Sequence, residues 1–557
     1  GRAGRPEGTM GQGRPSGDDA TRSVSDPLGR MSRRQMLAAL GFGAGAVVVA
    51  GCTVSPPPDR PRPTPGAPAA GPFPDGVKAG DPAPDGSLIW TRVTPPAGGG
   101  DVAVLWSVGT DASLDTVAAG GLAVAGAANG HSVTVPVTGL QPDRWYWYRF
   151  EVDGVAGPVG RLRTAPAPGA AVDHLRFAFC GDQQLNDSWF VAHEAIAAEP
   201  GLDFVAHLGD YVYVNDQATL TLDDYRGVYR RWNERPELRA LHAALPFVST
   251  WSDGEFYNGV DRNGPPERLA NAQQAWFENF PVAGAGPGRQ IYRSFAWGAL
   301  ADWFVLDDRT LRDPSVDGVN RIDPPGSTVY DPTRTSLGAE QFAWLTSGLA
   351  GSEATWRVVA EDYPFAPWKL LNLEFLRPFR PDLPPDAGLY IPAETWDQYM
   401  VQRQDLLDAM AGAGVTDTIF CAAETHISLA SDLRRRLGDG GSPVFAADFT
   451  APSLTADPDV RRAYLPDLPT EVAEGVLNLA ERFILGQNPA TMRYMNFVDQ
   501  GYCVVDIDPE RIEVTYRFID TFDPDAQAYD GAKFRVTKGS GPMTPLPVGR
   551  PRGSVGP

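Results

Sequence analysis

Residues 175–213 read LRFAFCGDQQLNDSWFVAHEAIAAEPGLDFVAHLGDYVY, and the fold is decided in this stretch. Two short apolar runs, Arg176–Phe179 and Phe204–Leu208, each stop at a polar group able to hold a metal. The first ends at Cys180 with Asp182 just beyond. The second ends at Asp210, followed by Tyr211 and Tyr213. Apolar runs of this length bounded by Gly predict buried parallel strands. The roughly twenty residues between them suit a crossover helix, since a parallel pair needs a connection of about a dozen residues or more. Loops at the carboxyl ends of such strands lie side by side, where open α/β sheets bind ligands. Cys180, Asp210 and Tyr213 are therefore expected to converge. A thiolate, a carboxylate and a phenolate together suit a hard, highly charged cation such as Fe(III), although the thiolate alone tolerates softer metals. Taken singly, Cys180 reads as a buried core cysteine and Asp210 as a helix cap; the pairing of the two strand ends favours a metal.

At 557 residues the chain has room for two or more domains. A formal charge of −21 excludes broad binding to nucleic acid or anionic lipid. It leaves a phosphorylated substrate open, because metal charge inside a cleft overrides the net field. Four cysteines, at positions 52, 180, 421 and 503, make no disulfide scaffold. Cys421 and Cys503 sit in apolar strand-like runs and read as core.

Residues 1–30 are rich in Gly, Arg and Asp without periodicity, the composition of a disordered extension. Residues 31–52 then carry Ser32-Arg33-Arg34-Gln35-Met36-Leu37 and an apolar stretch too short to span a bilayer comfortably. This is a twin-arginine pair ahead of a signal core, and Val49-Ala50-Gly51-Cys52 resembles a bacterial lipoprotein processing box. The expectation is export by the twin-arginine machinery to the periplasm, cell surface or extracellular space, with the membrane reached through a lipidated Cys52. An uncleaved anchor or a soluble secreted product are the alternatives. Residues 53–72 form a stiff Pro-rich spacer.

From residue 73 to 166 the pattern is strands: SLIWTRV (87–93), VAVLWSV (102–108), HSVTVPVTGL (131–140) and WYWYRFEV (145–152). Each alternates apolar and polar residues with turn signals between. The size suits a small all-β sandwich of the immunoglobulin or fibronectin III type. Residues 175–525 follow as an α/β layered domain, and 526–557 as a Gly- and Pro-rich tail with little periodicity, either loose or covering the cleft. Within the α/β part, further apolar runs end in polar residues: Trp251, Asp253 and Glu255; Asp307, Asp308, Arg309 and Arg312; Glu361 and Asp362; Glu424 and His426; and Asp448. Together these describe one layered sheet rimmed with metal-binding groups. Helices are predicted near 338–350 and 396–412.

The order of these motifs resembles the PhoD-type alkaline phosphatases, a branch of the calcineurin-like metallophosphoesterases. The resemblance covers about residues 73–525. It rests on Phe73-Pro74-Asp75-Gly76-Val77, Gly80-Asp81-Pro82 and Trp90-Thr91-Arg92, then on Phe177-Ala178-Phe179-Cys180. Further along, Gly209-Asp210 with Tyr213 matches the family's G-D-x-x-Y, and Leu306-Asp307-Asp308-Arg309 with Arg312 its L-D-x-R-x-x-R. Gly338, Gln341, Trp396-Asp397 and Gly501-Tyr502 are similar to its later signposts. The resemblance implies Fe3+ on Cys180, Asp210 and Tyr213, with Asp210 bridging to a second metal, Ca2+, on oxygen ligands including Asp253. It also implies hydrolysis of a small phosphorylated substrate by a metal-activated hydroxide. Arg309 is then the candidate clamp for phosphate oxygens, or else a salt-bridge partner of Asp307.

Two departures stand out. The family's W-D-D-H-E reads Trp251-Ser252-Asp253-Gly254-Glu255, so Gly254 replaces a histidine. Losing such a contact commonly lowers rates by about 10²–10³. The family's G-D-x-H reads Ala423-Glu424-Thr425-His426, which keeps the histidine and lengthens the carboxylate. Glu424 and His426 remain candidate metal ligands, and His426 a candidate acid/base group. A catalytically altered or inactive, surface-anchored binding protein is the alternative to a phosphoesterase.

Overall fold

The computed structural model describes residues 69–548 apart from 187, 284–289, 317–327, 384–386, 391–394, 457–467 and 540. The N-terminal extension, the twin-arginine segment with Cys52 and most of the Pro-rich spacer lie outside the described residues.

Seven strands come first: β1 (Val77–Ala83), β2 (Gly86–Arg92), β3 (Val102–Gly109), β4 (Val117–Ala125), β5 (Ser132–Val137), β6 (Trp145–Val152) and β7 (Val155–Arg163). The aromatic run of β6 alternates strictly, burying Tyr146, Tyr148, Phe150 and Val152, as a strand with one covered face requires. Tyr146 also pins the preceding turn, its hydroxyl accepting the Gln141 N–H at 3.0 Å. Strands β4-β3-β6-β7 form one sheet, while β1, β2 and β5 belong to another. Side chains of both, among them Ile89, Val104, Val135 and Tyr148, share one core.

The α/β part begins with β8 (Leu175–Cys180), helix α1 (Val191–Ala198) and β9 (Phe204–Leu208), the parallel unit expected from the sequence. Helices α2 (Leu222–Asn233) and α3 (Pro236–Ala244) lead into β10 (Phe247–Thr250). Helix α2 starts with a reciprocal cap between Thr221 and Asp224. After α4 (Pro266–Phe277) come β11 (Arg293–Trp297), β12 (Ala301–Val305), α5 (Gly338–Gly351), β13 (Trp356–Ala360) and the short pair β14 (Lys369–Asn372) and β15 (Gly388–Tyr390). Then follow α6 (Met400–Gly412), β16 (Thr418–Ala422), β17 (Ser428–Arg434), β18 (Val444–Thr450), α7 (Thr470–Gln487), β19 (Met492–Asn496), β20 (Gly501–Ile507), β21 (Arg511–Phe518), β22 (Tyr529–Thr537) and β23 (Thr544–Pro545).

These strands make two large mixed sheets rather than the single sheet expected. One has ten strands in the order β23-β22-β21-β20-β8-β9-β10-β1-β2-β5, the other seven in the order β11-β12-β13-β16-β18-β17-β19. Phe177, Phe204 and Leu208 of the first pack against Trp303, Val358, Ile419 and Phe449 of the second. The outer face of the seven-stranded sheet is covered by Leu345 and Leu349 of α5 and Leu406, Leu407 and Met410 of α6. The outer face of the ten-stranded sheet meets Val191 and Ile196 of α1 and Leu241 of α3. Sheets covered on both sides explain why the runs are continuously apolar.

Two further expectations are corrected. The N-terminal strands are not confined to a separate small sandwich, because Gly80 of β1 pairs in parallel with Phe247 of β10, which places β1, β2 and β5 in the ten-stranded sheet. Residues 526–557 are not a loose tail throughout: β22 pairs along its length with β21, and β23 with β22.

Candidate metal centre

The strand ends of both sheets meet at one buried cluster. Asp182 follows β8, Asp210 follows β9 and Ser252–Glu255 follow β10, all from the ten-stranded sheet. Asp307–Arg309 follow β12, Asp362 follows β13, and Glu424 and His426 follow β16, from the seven-stranded sheet. Asp182, Asp210, Glu424 and His426 all adopt left-handed backbone, with φ of 62°, 52°, 67° and 54°. Such φ is uncommon outside glycine and persists where surrounding structure over-determines it, often at functional sites. Gly209 shows the crowding: a Cβ there would lie 2.6 Å from Ser252 Cβ and 2.7 Å from Asp362 Oδ1.

Two groups of ligand atoms result. Asp182, Asp210 and His426 present atoms within 4.8 Å of one another, and so do Asp210, Asp253 and Glu424. Asp210 belongs to both. All five residues are at least 95% buried, from Asp182 at 0% exposure to Asp253 and Glu424 at 5%. Tyr213 joins the first group, its hydroxyl 3.0 Å from His426 Nε2. Burial and the neighbouring Glu424, Asp253, Glu255 and Asp182 carboxylates push Asp210 well above the usual carboxylate range. Burial also raises Asp253, against the pull of Arg309. Tyr213 is raised by burial and by the carboxylates of Asp210, Asp182 and Glu424. Acids held this close favour protons or a cation over free ionisation.

The loop backbones are fixed by Glu255. Its carboxylate accepts the N–H groups of Tyr211 at 2.7 Å, Ser252 at 2.9 Å and Asp210 at 3.2 Å. Burial pushes this acid up to about 7 although the backbone donors oppose the shift. Gly254 donates its own N–H to Asp210 Oδ1 at 2.8 Å. A Cβ at Gly254 would sit 2.5 Å from that oxygen and 2.6 Å from Val212 O. The residue standing where a histidine was expected thus occupies a space that admits no side chain.

Arg309 is fully buried at the centre of the carboxylates. Its guanidinium bonds Asp362, lies 2.6 Å from Glu424 Oε1 and 3.6 Å from Asp253 Oδ2, and donates to Ser252 Oγ at 3.0 Å. Ser252 in turn donates to Glu424 Oε2 at 2.7 Å. The expected clamp on phosphate oxygens is corrected accordingly: this guanidinium is occupied by carboxylates of the site. Its other expected partner, the Asp307 carboxylate, instead accepts the Arg309 backbone N–H at 3.1 Å and Trp251 Nε1 at 3.0 Å.

Cys180 is the residue the structure leaves out. Its side chain lies in an apolar layer with Ala178, Val205, Phe247 and Val504, and burial holds the thiol far above its ordinary range. The reason is register. Cys180 pairs with His207, one step below the loop, whereas the backbone of Asp182 and Gln183 reaches Gly209 and Asp210. Asp182 thus takes the place expected for Cys180, and the signal was its position two residues beyond its strand, matching Asp210 beyond β9.

The sequence profile of the PhoD-like phosphatases matches residues 175–516, and that of the PhoD-like phosphatase N-terminal domain matches residues 60–166. The chain belongs to the PhoD-like phosphatases. It is 33% identical over 420 residues to alkaline phosphatase D of Bacillus subtilis (strain 168), covering 69% of this chain and 70% of that protein. A solved structure of PhoD superposes with a TM-score of 0.76 at 29% identity, covering 87% of this chain and 94% of the other. Membership of the PhoD-like phosphatases supports a phosphoester hydrolase, and the mixed sheets and helices described above match the solved PhoD fold.

Proposed function

We propose that the protein hydrolyses phosphate esters at this centre in a metal-dependent reaction. The observation that carries the reading is Asp210, which presents one carboxylate to both ligand groups. The residues fit the implied ions. Asp182, Asp210, Tyr213 and His426 offer oxygen and imidazole donors to a hard cation such as Fe3+, and Asp210, Asp253 and Glu424 offer only oxygens, as Ca2+ prefers. Cations held there would supply Lewis acidity toward phosphoryl oxygens and lower the pKa of a bound water.

The chain's own groups do the rest. Gly254 N–H fixes one oxygen of Asp210. Arg309 and Ser252 hold the two oxygens of Glu424. His426 turns Nε2 toward the first group, 3.0 Å from Tyr213 Oη and 3.8 Å from Asp182 Oδ1. The twin-arginine pair at Arg33-Arg34 and the box ending in Cys52 support export, with lipidation at Cys52 as the anchor.

Elemental analysis of natively purified protein, with p-nitrophenyl phosphate and bis-p-nitrophenyl phosphate as substrates, tests the reading. Bound metal with turnover, lost in Asp210→Asn at unchanged folding, is the expected result. Unchanged turnover in that variant rejects the site. Bound metal without turnover on either ester points to a binding protein.

A further inference from the structure

Lys78 is a buried cation that the chemistry above does not use. It lies on β1, in the N-terminal part of the chain, at 1% exposure. Its ammonium donates to Asn279 O at 3.1 Å and to Tyr211 Oη at 3.4 Å. It stands over the rings of Trp90, Tyr211 and Phe280 at 4.8, 5.1 and 5.1 Å, close enough for cation–π attraction. Tyr211 Oη is also 2.8 Å from His242 Nε2. Arg92, paired with Asp75 at 3.0 Å, lies over the same Trp90 ring at 5.8 Å.

Tyr211 follows Asp210 directly. Its backbone is held on both sides, the N–H by Glu255 and the carbonyl by Gln183 Nε2 at 2.7 Å. The side chain is a further handle on the loop of Asp210, which sits in left-handed backbone. Lys78 grips that handle from outside the α/β part. The geometry points to Lys78 as a positioning residue that, through Tyr211, sets the Asp210 carboxylate for metal binding. The N-terminal strands then complete the centre rather than merely precede it. A misplaced supporting shell loosens a metal site without unfolding it.

The inference rests on Asp210 being a metal ligand, and the test separates the two. Metal-stripped full-length chain is titrated with Mn2+ alone by calorimetry, and thermal unfolding is recorded in parallel. In Lys78→Met an apolar chain of similar length replaces a buried ammonium, so unfolding is expected at the wild-type temperature or above. Mn2+ affinity is expected to fall about tenfold, within the range for outer-shell partners. Tyr211→Phe is expected to show the same loss, and the double variant no more than either single one. Wild-type Mn2+ affinity in Lys78→Met, or losses that add in the double variant, would overturn the role of Lys78 alone. Absence of Mn2+ binding by the wild-type chain would overturn the metal reading of Asp210 with it. Should Lys78→Met fail to fold, Tyr211→Phe with wild-type affinity is sufficient to reject the proposal.

Discussion

The N–H of Gly254 meets Oδ1 of Asp210 at 2.8 Å, across two loops from adjacent parallel strands. This contact turns the most conspicuous departure in the sequence into part of the site. Restoring a histidine at 254 is expected to damage the centre. A Cβ there falls 2.5 Å from the Asp210 oxygen, so Gly254→Ala and Gly254→His should both lower Mn2+ affinity and phosphoesterase turnover, by about tenfold or more. Calorimetric titration beside turnover assays checks this; improved turnover in Gly254→His contradicts it.

Asp182 and Cys180 make a clean pair of substitutions. Asp182→Asn removes a carboxylate of the first group and, on the proposed metal reading, should abolish tight metal binding while the fold persists. Cys180→Ala removes a buried sulfur from an apolar layer and should lower stability by about 1 kcal/mol, with metal content unchanged. Elemental analysis and denaturant unfolding of the two proteins distinguish the roles, and metal loss in Cys180→Ala would restore the thiolate as a ligand.

Removing Arg309 leaves Asp362, Glu424 and Asp253 without their shared cation. Arg309→Met should destabilise the metal-free protein by roughly 3–5 kcal/mol, the usual penalty for breaking a buried ion pair from one side. Added divalent metal should recover part of that loss. Chemical denaturation with and without Mn2+ is the measurement.

Metal-free stability should fall as pH rises from about 5 to 7, because the buried acids outnumber His193 and His207, which burial pushes down to about 3 and which act in the opposite sense. Asp308, Asp448 and Glu481 are each pushed by burial up to about 7. Between their unfolded values and 7 the folded chain therefore holds more protons than the unfolded one, and stability falls as pH rises. Lys78 is pushed by burial from 10.5 down to about 7. At this one group the unfolded chain holds the extra proton above 7, which opposes the loss from Asp210, Glu361 and Asp362, acids that burial raises well above the usual range. Thermal unfolding in chelator from about pH 5 to 7 should trace the fall; a rise over that range rejects it.

Much of this was legible in the sequence for physical reasons that also mark the limit. The β8-α1-β9 unit declared itself because both faces of its sheet are covered, leaving continuous apolar runs. Asp210, Asp253, Glu424 and His426 stood out as polar groups at the ends of such runs, and the structure brings them together. Cys180 misled because the choice between it and Asp182 depends on how β8 registers against β9, which no spacing within one strand reveals. Arg309 could be placed in the site but not given its partners, since Asp362, Glu424 and Asp253 arrive from three separate loops. The strand β22 escaped because a polar run with Gly531 carries little periodicity until β21 offers it an edge.

The pairing of β1 with β10 has a consequence for anyone trimming the protein. Deleting the first hundred-odd residues would not yield a minimal enzyme. It would strip the neighbour from Phe247–Thr250 and leave an open, apolar sheet margin seeking other chains. Such a fragment should aggregate when expressed alone, and the gene segment for those early strands is expected to travel with the rest through any domain shuffling.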